Sequence, residues 1–309
     1  MSRVEAPAPP PLAAGTSVAP GYQVLAHLCR TGWLDLYDAW SEERACRCVV
    51  KVLRPDRGHD RRLRERLLQE GRWLQAFTHP HLVRAYETAE SPEPFVVLET
   101  LAGETLAHVI ERRRRHRLAA DDLAQLGLHL CSALHYLHGQ GLLHLDLKPS
   151  NIVIDCRRAK VLDLSIARPP GPGPAGVGTF CYLAPEQARG GTLTPAADVW
   201  GIGITLFEAA TGDVPFDPGE SVDGSDGSDG SDGSDSPYGT GAGTGADADD
   251  WYPQLEEAAP PVATRRRLPP GLAAAIDACL RPDPDARPTV RALTAALDAR
   301  LPRVPVRRA

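Results

Sequence analysis

The sequence predicts an α+β protein in two lobes: a small antiparallel β-sheet with one helix, followed by a larger and mainly α-helical part. Short β-favouring runs fill much of the first hundred positions, and one amphipathic pattern interrupts them. After Gly103 the pattern changes to helical repeats of leucine. The chain has 309 residues and is 42% hydrophobic, which is enough for one large core or two modest ones.

The first lobe is expected to contain five strands and one helix. Apolar residues recur at nearly helical spacing from Asp60 to Phe77, and His79-Pro80 ends that helix. The predicted strands are Tyr22–Leu25, Leu34–Trp40, Cys48–Leu53, Leu82–Tyr86 and Phe95–Leu98.

The second lobe is expected to be built from long helices. From Asp121 to Gly141 leucines follow one helical face, with Asp121 or Asp122 as the expected N-cap and Gly139 near the end. Three further predicted helices are Thr194–Ala210, Leu272–Leu280 and Thr289–Leu301.

Charge is distributed unevenly along the chain. The net charge is -6, yet the stretch from Asp217 to Glu257 holds twelve acids and no Lys or Arg. Residues 217–250, which include Gly-Ser-Asp repeats, are therefore expected to form an acidic disordered insertion that could dock basic partners. A flexible Pro/Ala-rich lead over 1–20 and a basic tail over 303–309 are expected at the ends.

Composition also indicates compartment and partners. Seven scattered cysteines form no CxxC pair, and no apolar run approaches the roughly 20 residues of a membrane span, so a reduced, cytoplasmic chain is expected. The basic run over 112–117 has no interleaved aromatic residues, which favours a solvated helix end over a nucleic-acid surface. Only three of the 34 basic residues are lysines: Lys51, Lys148 and Lys160.

The strongest chemical signal is the block from His144 to Asn151, followed twelve residues later by Asp163. Within it Asp146 is a candidate base for a hydroxyl, and Lys148 is a candidate cation for a phosphate. Asn151 and Asp163 supply the oxygen ligands that Mg²⁺ prefers. The constellation therefore predicts phosphoryl transfer.

These residues resemble the eukaryotic-like (Hanks-type) serine/threonine protein kinase family of the bacterial kind. The block looks like the family's H-R-D-L-K-P-x-N, and Asp163 stands at the D-F-G position. Further matches, in family order, are Val49-Val50-Lys51 for V-A-I-K, Glu70 for the helix-C glutamate, Ala184-Pro185-Glu186 for A-P-E, Asp198 to Gly203 for helix F, and Arg287. The resemblance implies a bilobal protein-kinase fold over 21–302.

The resemblance places an N-lobe at about 21–99, a hinge at 99–103 and a C-lobe at 104–302. It also assigns roles. Lys51 would hold the ATP phosphates and pair with Glu70, Asp146 and Lys148 would be catalytic, and Asn151 and Asp163 would bind Mg²⁺. The other implied ATP contacts are Leu28, Leu36, Val49, the gatekeeper Leu98, Glu99 and Leu101. The implied structural residues are Asp198 and the ion pair of Glu186 with Arg287.

The sequence departs from the family where the nucleotide would bind. The three glycines of the family's phosphate loop fall on Cys29, Thr31 and Leu34, whose side chains hinder close approach of the backbone to phosphate. Val49 replaces an alanine over the adenine ring, and Ser165 replaces the D-F-G glycine.

A further departure concerns regulation. Leu145 replaces the arginine that would bind an activation-loop phosphate. Between Asp163 and Glu186 the only hydroxyls belong to Ser165, Thr179 and Tyr182. Activation by phosphorylation of this segment is therefore not expected, and we expect constitutive activity or control by a partner.

Three functions fit these residues to different degrees. The favoured one is an ATP- and Mg²⁺-dependent serine/threonine protein kinase acting on proteins that the residues do not identify. The alternative is a pseudokinase, a binding or scaffold module, which the degenerate phosphate loop motivates. A small-molecule phosphotransferase shares a histidine-aspartate loop but lacks the A-P-E and helix-F blocks found here.

Overall fold

The computed structural model describes residues 9–113, 117–216 and 251–301. The predicted acidic insertion over 217–250, the basic tail over 303–309, the first eight residues of the lead and the centre of the arginine run lie outside the described residues. Among the helices of the described parts, none has the length and apolar character needed to cross a membrane.

The chain folds into two compact units. The first contains the residues up to Ala102 together with Leu162–Ser165, and the second contains Gly103–Val161 and the residues from Ile166 onward. The boundary at Ala102 lies inside the predicted hinge over 99–103. Leu162–Ser165 belongs with the first unit, which a linear division of the chain does not anticipate.

The first unit is built on one six-stranded antiparallel sheet. Its strands are β1 (Ser17–Ala19), β2 (Tyr22–Arg30), β3 (Leu34–Ser41), β4 (Cys46–Leu53), β5 (Ala85–Ala89) and β6 (Phe95–Glu99). They lie in the order β1-β2-β3-β4-β6-β5. One face buries apolar side chains from five of the strands, including Tyr22, Val50, Phe95 and Val97.

Two parts of this sheet differ from the sequence prediction. Strand β1 lies within the segment predicted as a flexible lead, because Ser17 and Ala19 pair with β2. Strand β5 begins at Ala85 rather than Leu82. Leu82 and Val83 are buried as a strand would bury them, but the Leu82 amide closes a turn onto the His79 carbonyl at 3.2 Å.

Helix α1 spans Arg61–Ala76, close to the predicted range. The Asp60 carboxylate caps it by accepting hydrogen bonds from the Arg62 and Leu63 amides. The helix packs on β5 and β6 and buries Leu67, Leu74 and the carboxyl side chain of Glu70. An acidic residue on a buried helix face requires a partner, and for Glu70 this partner is Lys51 of β4.

The second unit is mainly helical. Its helices are α2 (Leu106–Arg112), α3 (Ala120–Gly139), α4 (Pro185–Arg189), α5 (Pro195–Thr211), α6 (Pro253–Glu256), α7 (Pro270–Cys279) and α8 (Val290–Asp298). Its short strands are β7 (Glu104–Thr105), β8 (Ile152–Asp155), β9 (Arg158–Val161), β10 (Gly171–Gly173) and β11 (Gly191–Leu193).

Helices α3, α5, α7 and α8 form the core of this unit, with α3 packed on α5 and α8. Helix α5 begins with the Thr194 hydroxyl as its cap and ends at Gly212, which adopts a left-handed φ of 82°. The predicted cap of α3 is wrong. Its N-cap is Ala119, and Asp121 and Asp122 lie in the first turn, where their charges favour the helix dipole.

Candidate active site

In the first unit, the central feature is a buried ion pair between Lys51 and Glu70. Lys51 lies on β4, and its Nζ donates to Glu70 Oε1 at 2.8 Å. Both side chains are almost completely buried, at 5% and 0% exposure. The predicted pairing of these two residues is therefore present, and it joins the sheet to helix α1.

Two carboxylates, those of Glu70 and Asp163, lie near the Lys51 ammonium. Burial alone would lower the pKa of Lys51, but the carboxylates of Asp163 and Glu70 outweigh it and raise that pKa, so the ammonium stays charged. Burial also raises the pKa of Glu70 to about 7, while Lys51 acts to lower it. When Glu70 is ionised, two carboxylates face one ammonium, which leaves one negative charge in excess.

The segment that carries Asp163 is fixed against helix α1. The Leu164 amide donates to Glu70 Oε1 at 3.4 Å, and the Ser165 amide donates to Asp163 Oδ1 at 2.7 Å. Arg66 of α1 donates from Nε to the Ser165 carbonyl and from Nη2 to Ser165 Oγ at 3.2 Å. The sequence did not single out Arg66.

The hairpin between β2 and β3 stands at the position of the family's phosphate loop. Its turn is closed by Thr31, whose amide donates to the Leu34 carbonyl at 2.8 Å and whose Oγ1 accepts from the Leu34 amide at 3.0 Å. Arg54 Nη1 donates to the carbonyls of Thr31 and Gly32 at 3.2 and 3.3 Å. The turn that carries the family's glycine positions is therefore tight, and hydrogen bonds from Thr31 and Arg54 hold it in place.

Three of the residues predicted to contact ATP, Leu36, Val49 and Leu98, share one sheet face with Lys51. The register pairs Leu36 with Lys51, and Val49 with Leu98. Because Val49 and Lys51 are two residues apart on β4, the side chains of all four residues point to the same face. Leu28 is 52% exposed.

Glu99 and Leu101 follow at the end of β6. The Glu99 side chain accepts from the Arg84 amide at 3.0 Å, and Leu101 is half-buried. The role of each of the six residues Leu28, Leu36, Val49, Leu98, Glu99 and Leu101 in binding ATP stays a prediction.

In the second unit, the buried carboxylate of Asp198 holds the catalytic loop. It accepts from the backbone amides of His144 and Leu145 at 2.9 and 2.8 Å, and it contacts His138 Nε2 at 2.8 Å. Leu145 adopts a left-handed φ of 66°, which costs a non-glycine residue energy. The structural role predicted for Asp198 is thus to fix this strained turn.

The side chains of the loop meet in one network around Asp146. Asn151 Nδ2 donates to Asp146 Oδ2 at 3.0 Å, and Lys148 Nζ lies 3.1 Å from the same oxygen. Thr179 Oγ1 donates to Asp146 Oδ1 at 2.7 Å and accepts from Lys148. The sequence singled out Thr179 as one of three hydroxyls between Asp163 and Glu186, but not for this contact.

The predicted ion pair of Glu186 and Arg287 is present and bidentate, with contacts of 2.7 and 2.8 Å. The Arg287 side chain is completely buried, and its remaining donors meet three backbone carbonyls. Its guanidinium also lies 5.0 Å from the centre of the Trp200 ring. The pair is structural, because it ties the start of α4 to the segment before α8.

Gln187, the next residue, ties the activation segment to the catalytic loop. Its Nε2 donates to the carbonyls of Leu145 and Val177 at 2.9 and 3.3 Å, and its Oε1 accepts from the Ala184 amide. The side chain is buried and neutral. It therefore binds the backbone of the residue that replaces the family's phosphate-binding arginine.

All three hydroxyls of the activation segment are engaged in hydrogen bonds. Ser165 Oγ contacts Arg66, and Thr179 contacts Asp146, as described above. Tyr182 donates to Glu208 at 2.7 Å. Thr179 is buried, and Ser165 and Tyr182 are partly exposed. The expectation that this segment is not activated by phosphorylation stays a prediction.

Known proteins resemble this chain over the same elements. A family model described as the protein kinase domain matches residues 35–297. The serine/threonine-protein kinase PknB of Mycobacterium leprae is 35% identical over 180 residues, which are 54% of this chain and 29% of that protein. PknB of Mycolicibacterium smegmatis is 36% identical over 187 residues, with the same two shares. The chain spans about three tenths of the length of these curated relatives.

Two solved structures share the fold. The PknI kinase domain of Mycobacterium tuberculosis has a TM-score of 0.66 at 21% identity and covers 94% of this chain and 99% of that one. A mutant of the same domain has a TM-score of 0.69 at 20% identity, with shares of 94% and 98%. The predicted α+β protein-kinase fold is confirmed by this likeness.

Because the family model matches most of its length, the chain belongs to the protein kinase family. The relatives are bacterial serine/threonine kinases, which confirms the predicted resemblance to Hanks-type kinases of the bacterial kind.

Proposed function

We propose that this protein transfers the γ-phosphoryl group of ATP to serine or threonine hydroxyls of proteins. The observation that carries the proposal is the network around Asp146, in which Lys148, Asn151 and Thr179 hold one carboxylate in a fixed orientation. A carboxylate fixed in this way can accept a hydrogen bond from a substrate hydroxyl and orient its oxygen for attack.

The reaction is an in-line displacement. The substrate oxygen forms a bond to the γ-phosphorus, the bond from that phosphorus to the β,γ-bridging oxygen breaks, and ADP leaves. Asp146 receives the hydroxyl proton, and Lys148 stabilises the negative charge on the transferred group. No covalent enzyme intermediate is needed, so the chain's contribution is positioning and electrostatics.

On the nucleotide side, Lys51 is the proposed partner of the α- and β-phosphates. It stays charged although buried, and Glu70 fixes its position. The amides of Thr31 and Leu34 are committed within the hairpin turn, so the phosphates depend on Lys51 more than on that turn. A compact ammonium suits this role better than the wide fork of arginine, which agrees with the survival of Lys51 in an arginine-rich chain.

Asn151 and Asp163 each offer an oxygen of the kind that Mg²⁺ prefers. Asn151 uses its Nδ2 to donate to Asp146, which leaves its Oδ1 as the atom to meet a cation. Asp163 contributes one of the two carboxylates that face Lys51. When bound, the ion neutralises phosphate charge. Asn151 and Asp163 are therefore the proposed ligands.

We also propose a cytoplasmic location, where ATP is available. All seven cysteines lie in the described residues and none forms a disulfide, as expected of a reducing compartment.

The acidic stretch over 217–250 is a proposed docking element for basic partners, on the ground of its charge alone.

The test is transfer of labelled γ-phosphate to a mixture of generic protein substrates, followed by phosphoamino acid analysis. We expect labelled serine or threonine with the wild type, and a rate at least about 100-fold lower with Asp146→Asn. Lys160→Arg serves as the control, because Lys160 has no proposed role in the reaction. The proposal is wrong if folded protein at high concentration transfers no label, and binding of ATP without transfer would identify a pseudokinase.

A further inference from the structure

Arg66 of helix α1 contacts two segments in which this chain departs from the family pattern. Its Nε and Nη2 donate to the carbonyl and the hydroxyl of Ser165, which replaces the D-F-G glycine. Its guanidinium carbon lies 4.9 Å from the centre of the Trp33 ring, in the turn that replaces the glycine-rich loop. Trp33 is buried, with 8% of its surface exposed.

The shape of a guanidinium explains how one side chain can make three contacts with two segments. Its in-plane N–H groups form a fork that donates to two acceptors, while its flat face stacks on an aromatic ring. A glycine in place of Ser165 would offer the carbonyl but no hydroxyl. The departure at Ser165 therefore supplies one of the contacts that Arg66 uses, and the ring of Trp33, between Thr31 and Leu34 in the altered turn, supplies another.

The position of Arg66 connects these contacts to the reacting groups. Glu70 is four residues further along α1, so both side chains leave the same side of the helix. Ser165 donates its amide to Asp163 Oδ1 at 2.7 Å. Fixing Ser165 against α1 therefore orients Asp163, and it holds Glu70 where it meets Lys51 at 2.8 Å.

We propose that Arg66 is a positioning residue that locks α1, the Asp163 segment and the phosphate-side hairpin into the phosphate-binding arrangement without phosphorylation of the activation segment. This inference rests on the proposed function and concerns how the same site is kept active. It replaces two family devices at once: a flexible glycine loop that closes over the nucleotide, and a phosphate that organises the activation segment. Here Arg66 contacts both Trp33 and Ser165, and neither contact needs a phosphate.

The test compares Arg66→Ala, Arg66→Lys and the matched control Arg62→Ala. Arg62 lies one turn earlier on the same helix and is exposed. Affinities for MgATP and for adenosine are measured by calorimetry, together with kcat and KM for transfer. We expect Arg66→Ala to weaken MgATP binding by about tenfold or more and to leave adenosine binding nearly unchanged, because the lock acts on groups that meet phosphates and metal.

Arg66→Lys keeps the charge but loses the fork, so we expect it to recover only part of the MgATP affinity. Arg62→Ala should match the wild type in every measurement. An effect of Arg66→Ala that is equal for adenosine and MgATP, or no larger than that of Arg62→Ala, would overturn the inference. Full recovery by lysine would also overturn it, because the charge alone would then suffice.

A second pair of variants keeps the test decisive if Arg66→Ala fails to fold. Ser165→Ala removes only the hydroxyl, and Trp33→Leu removes only the aromatic face. Each should weaken MgATP binding in a folded protein, and their effects should shrink when combined with Arg66→Lys, because the contacts are shared. Fully additive effects would count against a single lock. A wild type that binds MgATP but transfers nothing would refute the proposed function and leave this binding test intact.

Discussion

Replacing Gly71 with alanine should disable the protein more than it unfolds it. Gly71 follows Glu70 on α1, where the helix crosses strands β5 and β6. A Cβ atom at this position would lie 2.5 Å from Thr88 Oγ1 and 2.6 Å from Val96 Cγ2. Ordinary contacts between such atoms are about 3.5–4 Å, so the helix must move outward by about 1 Å. Thr88 and Val96 are β-branched, which limits how far they can turn aside.

The magnitudes separate stability from activity. Overpacking of this kind costs about 1–3 kcal/mol, and the better helix propensity of alanine returns about 0.5–1 kcal/mol. We therefore expect the free energy of unfolding to fall by about 1–2 kcal/mol, and Tm to fall by about 2–6 °C. The same shift carries Glu70 away from Lys51, and a misplacement of 1 Å can reduce catalysis about 100-fold.

The assay measures thermal unfolding and kcat/KM for phosphoryl transfer on the same preparation. Gly139→Ala is the matched control, because Gly139 also lies in a helix and nothing stands within 4 Å of its added Cβ. That variant should keep full activity and gain slightly in stability. If Gly71→Ala retains kcat/KM within about twofold of the control, the close approach of α1 to the sheet does not position Glu70, and the reasoning fails.

Three further predictions concern the second unit. Gln187→Leu should lower the free energy of unfolding by about 2 kcal/mol in urea titrations, because it leaves the Leu145 carbonyl buried without its donor; an unchanged midpoint would contradict this. Burial raises the pKa of Glu208 from 4.5 to about 7, so the folded state holds a proton that the unfolded chain releases, and its contribution to stability falls as pH rises through 7. The free energy of unfolding of Glu208→Gln, relative to the wild type, should therefore increase on the order of 1–2 kcal/mol as pH rises from about 5 to 8. A difference in Tm that does not change with pH would refute the raised pKa of Glu208 as the cause. Arg287→Lys should cost about 2 kcal/mol and Arg287→Ala about 4 kcal/mol, measured by urea unfolding; equal losses would show that the fork geometry is unimportant.

The sequence could predict the ion pairs of this site because motif order encodes them. The family resemblance assigns Lys51 to Glu70 and Glu186 to Arg287. The structure contains both pairs at 2.7–2.8 Å. In such pairs the residue types are distinctive, so resemblance alone is enough to match them.

The contacts of Arg66 and Gln187 could not be predicted in this way. Arg66 is 99 residues from Ser165 in the chain, and one arginine among many carries no signal of its partner. Gln187 meets backbone carbonyls, which any sequence provides. The local pattern also predicted Leu82 and Val83 as part of a strand. The pattern indicates correctly that both residues are buried, but it does not reveal the turn in which they lie.

The departures from the family pattern acquire a physical meaning in the structure. Thr31 closes the turn that glycine would leave loose, and Ser165 gives Arg66 a second acceptor. Thr31 and Ser165 both reduce the freedom of the backbone compared with glycine. In exchange, each side chain makes a specific hydrogen bond. A rigid hairpin between β2 and β3 is therefore compatible with nucleotide binding as long as the Lys51 ammonium supplies the positive charge that meets the phosphates.

The central claim is that this chain binds MgATP through Lys51 and Asp163 and uses it for phosphoryl transfer. Calorimetric titration of the folded protein with MgATP tests it most directly. We expect saturable binding at one site that weakens strongly when EDTA removes the Mg²⁺. Absence of binding at millimolar MgATP, in protein that still unfolds cooperatively, would contradict the account.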